Sequence, residues 1–291
     1  MAVAAPDGAG WGVSVEPVGE VSCLLGRLRG RSGGAPVALG LDLPIGLPAA
    51  FAERHCPGVS CFPEFLRGLG STPDFFRVCD TAAEIGPTRP FYPRRGMKGM
   101  KRHQLETALG LSFKELHRVC DRKTTNRPSA AALFWTLGAN QVGKGALSAW
   151  RDLLLPALTG ARPPALWPFD GDLATLLGGS EAVIAETYPA EAMRQLEVEM
   201  GGSKRSQADR AKLVQKLRGR LSDLSARPDA ALSTCLDDGF GSAPDGEDRF
   251  DAFLGLLAMV KVVSHPAADT VPDDQRVKRW EGWILGQSVP T

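Results

Sequence analysis

The sequence predicts an α/β fold in which a mixed sheet, an antiparallel meander plus parallel strands, is interrupted by a long and mostly helical insertion. Three observations predict it. Pro36 to Pro44 and Glu181 to Pro189 are short, nearly continuous apolar runs that each carry an acid at the end, as strands buried in a parallel sheet do. Residues 2–25 hold short apolar stretches punctuated by glycine. Between the two apolar runs, residues 49–179 contain no convincing buried strand and are rich in Pro, Gly and Arg loops. The expected core is therefore 1–48 together with 180–291, and 49–179 is an insertion rather than an independent domain.

Composition sets the outer limits. The 291 residues are 43% hydrophobic and 23% charged with a formal net charge of +1, so a basic surface for an acidic partner must be local. The N-terminal residues lack the basic and apolar parts of a signal peptide, and no apolar segment approaches the ~20 residues of a membrane span. Six scattered cysteines fit no disulfide framework, and His55-Cys56 with Cys61 fits no common zinc spacing. These features predict a cytoplasmic protein with no membrane partner.

Taken in order, residues 2–5, 11–16 and 20–25 read as three strands of a meander. Asp7-Gly8-Ala9-Gly10 forms its first turn, and 27–34 is a basic, glycine-rich surface connection. Asp42 closes the next strand, where α/β sheets present ligands; its plainer role would be to cap the Pro-rich turn that follows. Pro87 to His103 carries Arg89, Arg94, Arg95, Lys98, Lys101, Arg102 and His103 without an acid, with Phe91 and Tyr92 interleaved. That composition suits a loop gripping a nucleic-acid backbone, or simply a solvated charge run.

Gly138-Ala-Asn-Gln141-Val-Gly143-Lys144 nearly spells a phosphate-binding loop, but Gly145 stands where a magnesium-binding Ser or Thr belongs. The glycines are better read as permitting close helix packing, with Lys144 free to meet another phosphate. Glu186 ends the second apolar run as Asp42 ends the first, and Pro189 opens a helix. Gly201 to Leu221 forms a second basic stretch, including Lys204 and Arg205, and the spacing of Lys212, Lys216 and Arg220 places them on one helical face as a local basic surface. The run opened by Gly246 to Asp251 is helical: Phe250, Phe253, Leu254, Leu257 and Val260 form the buried stripe. Asp248 and Asp251 stack one turn apart on a neighbouring line with Gly255 and Ala258. Such acids can cap a helix, but two of them on an apolar, small-residue face call for a cation.

Placing acids on the first and fourth strands and the last helix is the arrangement of RNase H-like cores. Two divalent ions roughly 4 Å apart serve phosphodiester hydrolysis there, and each needs several oxygen ligands. The four histidines show no link to a Gly-x-Ser-x-Gly elbow, so acyl transfer has no support.

The segments Ala5-Pro6-Asp7-Gly8, Gly40-Leu41-Asp42-Leu43-Pro44, Ala185-Glu186-Thr187-Tyr188-Pro189 and Glu247-Asp248-Arg249-Phe250-Asp251 resemble a domain-of-unknown-function family of predicted RNase H-like nucleases. The stretches 134–144, 167–171 and 281–286 are similar to motifs of one branch of it. The paired acids on the last helix also resemble those of Holliday-junction resolvases. Ala4-Ala5-Pro6 departs from the cleaner apolar strand and Gly-x-Asp of the family. The resemblance implies a metal-dependent nuclease using Mg²⁺ or Mn²⁺ and a nucleic-acid substrate. Asp7, Asp42 and Asp251 would be primary metal ligands, with Asp248 also on the metal and Glu186 orienting the shell. Phosphates would be held by Arg94, Arg95, Lys98, Lys101, Gln141, Lys144, Lys204 and Arg205. Two other readings stand beside it: an inactive nucleic-acid-binding protein, and a nucleotide-dependent enzyme using Gly138 to Lys144.

Overall fold

A computed structural model of the chain describes residues 1–92, 101–124, 127–137, 142–265 and 269–289. It is mixed α/β, with two three-stranded sheets, one mixed and one parallel, among many helices. Strands β1 (Ala2–Asp7) and β2 (Gly10–Val15) form a hairpin in which Asp7 faces Gly10. Gly8, at φ +61°, supplies the left-handed turn that a two-residue loop needs.

The expected third strand of the meander is absent. Residues 21–23 make a 3₁₀ turn that runs into helix α1 (Leu24–Arg31). The reason lies in Leu24 and Leu25: both are buried although adjacent, which a strand with one core face does not allow. The same helix replaces the expected surface connection. The hairpin instead gains β6 (Ala226–Pro228), which runs parallel to β2.

The second sheet is built from β3 (Val37–Leu41), β4 (Ala165–Leu166) and β5 (Ala182–Glu186), all parallel, with β5 central. Every residue of β5 is buried, as its unbroken apolar run requires. The tiny β4 lies inside the segment expected to hold no buried strand. Leu41 pairs with Glu186, so Asp42 and Glu186 leave the same edge of the sheet.

The helices of the middle segment include α2 (Ala49–His55), α3 (Phe62–Gly68), α4 (Arg102–Leu109) and α5 (Val142–Ala149). Their apolar faces share one large cluster with Leu41 and Ile184 of the parallel sheet, including Phe51, Phe62, Phe75, Phe91, Phe134 and Trp150. Phe91 and Tyr92 are wholly buried, Phe91 against Phe75 and Phe134 and Tyr92 stacked on Trp135 at 4.5 Å. They are core residues, so the aromatic half of the expected nucleic-acid loop is not presented to a partner.

Helix α12 (Gly246–Ser264) comes after α11 (Ala230–Asp237) and packs on α8 (Pro189–Gln195), on β1 and on β3. Phe250, Phe253, Leu254 and Leu257 are fully buried, each contributing about 1.5–3 kcal/mol. The neighbouring small-residue line also packs inward. A Cβ placed on Gly40 of β3 would meet Met259 of α12, and would lie 2.7 Å from the Thr187 Cγ2. The helix therefore rides close to the sheet because Gly40 has no side chain. The patch at 280–286 folds back: Trp283, Ile284 and Leu285 are buried, and Ile284 bridges to Glu186. Among the described residues no helix is long and apolar enough to cross a membrane.

Candidate functional site

At the carboxyl edge of the parallel sheet, Asp42, Asp248 and Asp251 come within reach of one another's charge. Asp42 follows β3 directly, and the two others occupy the first turns of α12. Asp248 caps nothing: neither it nor Asp42 has a hydrogen-bond donor among the described residues, so the capping roles open to them in sequence are not taken up. Asp42 presents surface to solvent, yet its carboxyl is hemmed in by protein. Lost hydration comes first, then the charges of Asp251, Glu186 and Asp248, with Lys204 opposing, and together they push its pKa up to about 8. Exposed area and crowding of the carboxyl point in different directions here. The upward direction follows first from the carboxyl's lost hydration and then from the charges of the neighbouring acids.

Asp251 is held by Lys204, whose Nζ donates to both carboxylate oxygens at 2.6 and 2.8 Å. Burial raises its pKa and the lysine opposes that rise. Lys204 is set by Arg210, a residue that reads as part of a basic surface but is buried. Its guanidinium donates to the Lys204 carbonyl, to Gly239 O at 2.8 Å and to Gly241 O at 2.6 Å, gathering the loops around the start of α12.

Glu186 has a different setting. Arg118 donates to its two oxygens at 2.6 and 2.7 Å and to Asp121 at 2.9 and 2.9 Å, all within the protein. Ile45 N adds a bond of 2.7 Å and so ties the loop after β3 to the end of β5. Burial raises the Glu186 pKa against the pull of Arg118. Beside this pair, Glu281 accepts from Ala49 N at 3.2 Å and Val119 N at 2.6 Å. Glu186 is thus committed to Arg118 and reaches Asp42 only through its charge.

Asp7 stands outside the group. It is about half exposed at the hairpin tip and pairs with Arg227 at 3.6 Å. Pro6 and the tight turn carry it to the surface at the end of β1. Among the described residues no three His, Cys, Asp or Glu side chains are drawn together tightly enough to hold a metal as they stand. The oxygen donors of Asp42, Asp248 and Asp251 are of the kind that Mg²⁺ or Mn²⁺ takes, and two of these carboxylates are uncommitted. They fit such an ion provided Lys204 gives up Asp251.

The cationic residues separate. Arg94, Arg95, Lys98 and Gln141 lie outside the described residues, as does Gly138. Lys101 is exposed before α4, and its carbonyl accepts from the Tyr92 hydroxyl at 3.0 Å. Lys144 is exposed on α5. Gly143 has the packing role expected of it, since a Cβ there would lie 2.7 Å from Trp135 O. Arg205 is exposed and pairs loosely with Glu247 at 3.7 Å. The face expected from Lys212, Lys216 and Arg220 is broken, because Lys212 falls between α9 (Gln207–Ala211) and α10 (Val214–Asp223). Lys212 pairs with Asp209, Arg218 with Asp237, and Arg220 with Glu197 and Asp223.

Arg118, Asp121, Arg127, Arg210 and Glu281 do most of the work of organising this region and were not singled out in sequence. Arg118 pairs with Asp121 three residues on, but its bonds to Glu186, those of Arg210 to Gly239 and Gly241, and those of Glu281 to Ala49 and Val119 join distant segments, and nothing local distinguishes a buried arginine from a solvated one. No family model, no curated protein and no solved structure matches the chain.

Proposed function

We propose that the protein is a metal-dependent nuclease of RNase H-like architecture that hydrolyses phosphodiester bonds. The observation that carries this reading is the crowding of Asp42, Asp248 and Asp251 at the carboxyl edge of a parallel sheet, with a single ammonium among them. Carboxylates gathered at that cost are used where a cation must be held. A hairpin followed by a parallel pair, with a long helix lying over both, supports the fold assignment. Asp42, Asp248 and Asp251 would hold Mg²⁺ or Mn²⁺, and the bound ion would supply an activated water and charge stabilisation at phosphorus.

The protein's own part is to orient and to keep charge in balance. Gly40 lets α12 bring its acids to β3. Arg118 and Glu186 fix the edge from which Asp42 projects. Lys204 neutralises Asp251 and is placed to meet a substrate phosphate once released from it.

The way these acids are engaged favours a second reading, that of a nucleic-acid-binding protein without turnover. Asp7 pairs with Arg227, Glu186 is bound to Arg118, and Lys204 sits on Asp251, leaving few free ligands. Cleavage of labelled single-stranded, duplex and branched DNA and RNA with Mg²⁺, Mn²⁺ or EDTA separates the two. Metal-dependent cutting by the parent and none by Asp251→Asn is the expected result. Binding of the same strands without cutting by either protein would replace the nuclease with the inactive binder.

A further inference from the structure

Beside the acids lies a cavity of about 210 Å³. Asp42, Leu43 and Pro44 form one wall, Thr187 and Tyr188 another, and Val142 and Gly145 from the first turn of α5 a third. Four charged side chains besides Asp42 line it: Arg118, Asp121, Glu186 and Arg127. Arg118, Asp121 and Glu186 are engaged with one another, and every nitrogen of Arg118 is bonded. Arg127 is different. It is 6% exposed, and its Nη2 donates to the Cys120 carbonyl, but its Nε and Nη1 have no partner.

A buried guanidinium with two unfilled donors is costly, and such groups in folded proteins ordinarily have a partner. The ring of Tyr188 lies 5.2 Å from the guanidinium carbon and steadies it without satisfying those donors. Arg118 and Arg127 offset Asp121 and Glu186 in formal charge and leave Asp42 as the one further carboxylate on the wall, so the open donors of Arg127 are what an anion would meet. The amino-terminal end of α5 adds partial positive charge to the same wall.

We infer that the cavity is an oxyanion site in which Arg127 seats a backbone phosphate of the substrate next to Asp42. The arginine donates to the phosphate oxygens, Tyr188 keeps the guanidinium in place, and the first turn of α5 faces the anion. The identity of the anion as backbone phosphate rests on the nuclease reading above, whereas the oxyanion site itself does not. It would give the acidic group a neighbour that fixes one phosphate while the adjoining bond is presented to Asp42 and Asp251.

Calorimetric titration in EDTA at low ionic strength tests this without any turnover. The probes are inorganic phosphate, a dinucleotide with a 5′-phosphate and the same dinucleotide without it. The parent should bind phosphate and both dinucleotides saturably, because the one without a 5′-phosphate still carries the internucleotide phosphodiester. Arg127→Gln should weaken all three at least tenfold. Ala130→Leu, which fills the cavity and leaves Arg127 in place, should abolish all three, with thermal melts in phosphate-free buffer verifying that each variant is folded. No binding by the parent, or equal binding by folded Arg127→Gln, overturns the site. Binding of phosphate but of neither dinucleotide overturns the backbone assignment in favour of a free-phosphate site. Metal-dependent cleavage without phosphate binding would sink this inference and leave the nuclease standing; phosphate binding without cleavage would do the reverse.

Discussion

The surroundings of Asp42 change its protonation strongly. Its pKa rises from 3.8 to about 8, so between those values the folded protein holds a proton that the unfolded chain has released. Stability in the absence of metal should therefore fall as pH rises through that window, as the crowded carboxyl is forced to ionise. Replacing it by Asn removes the charge from both states. Asp42→Asn in EDTA should match the parent near pH 4 and become progressively more stable than it up to pH 8, in thermal melts across the range. The same variant should lose the stabilisation that Mn²⁺ gives the parent. A constant difference between the two proteins across the range, or a variant still stabilised by Mn²⁺ as the parent is, would remove Asp42 from the site. Asp251 answers to a different balance, because Lys204 already neutralises it.

At the scale of elements, the approach of α12 to β3 decides whether the acids meet. Gly40→Ala should cost about 1–3 kcal/mol, the usual penalty for overfilling a packed contact. Met259 can bend its side chain away, but the β-branched Thr187, which follows β5 and lies against Gly255 of α12, cannot and would be pressed onto the helix. The helix would then lift from the strand, carrying Asp248 and Asp251 from Asp42, so Mn²⁺ stabilisation should shrink together with the urea midpoint. An alanine variant as stable as the parent would mean that Gly40 does not set the separation. Elements whose core contacts repeat along the chain were legible in sequence: β3 and β5 as apolar runs, and α12 from its stripe of Phe250 to Val260. The region 20–25 was misread because its two buried leucines are adjacent and its helix continues into arginines that look like surface. The short β6 has no apolar run to announce it and owes its existence to pairing with β2.

The whole molecule carries almost no net charge, so any grip on nucleic acid must come from particular cations left unpaired. The acids of the candidate site were legible in sequence because each follows an apolar strand or opens a helix with a buried stripe. The cations were less so. Basic residues in 201–221 look alike in sequence, but folding turns Arg210 inward, gives Arg218 and Arg220 acidic partners from other segments, and pairs Lys212 with Asp209 of its own stretch. Phosphate contacts release counterions only where the cation is not already neutralised, and each is worth about 0.7–0.9 in the slope of log affinity against log salt. The nuclease reading keeps the salt-dependent grip where the sequence places it, in the 94–101 stretch, rather than in α10, whose Arg218 and Arg220 are paired. Replacing Arg94, Arg95 and Lys98 together by Ala should reduce that slope by about two to three, measured by fluorescence anisotropy with a labelled strand between low and moderate salt. Replacing Lys212 and Arg218 by Ala should leave it nearly unchanged. The opposite pattern would move the nucleic-acid face to the helices beside α12 and take the basic stretch before α4 out of substrate binding.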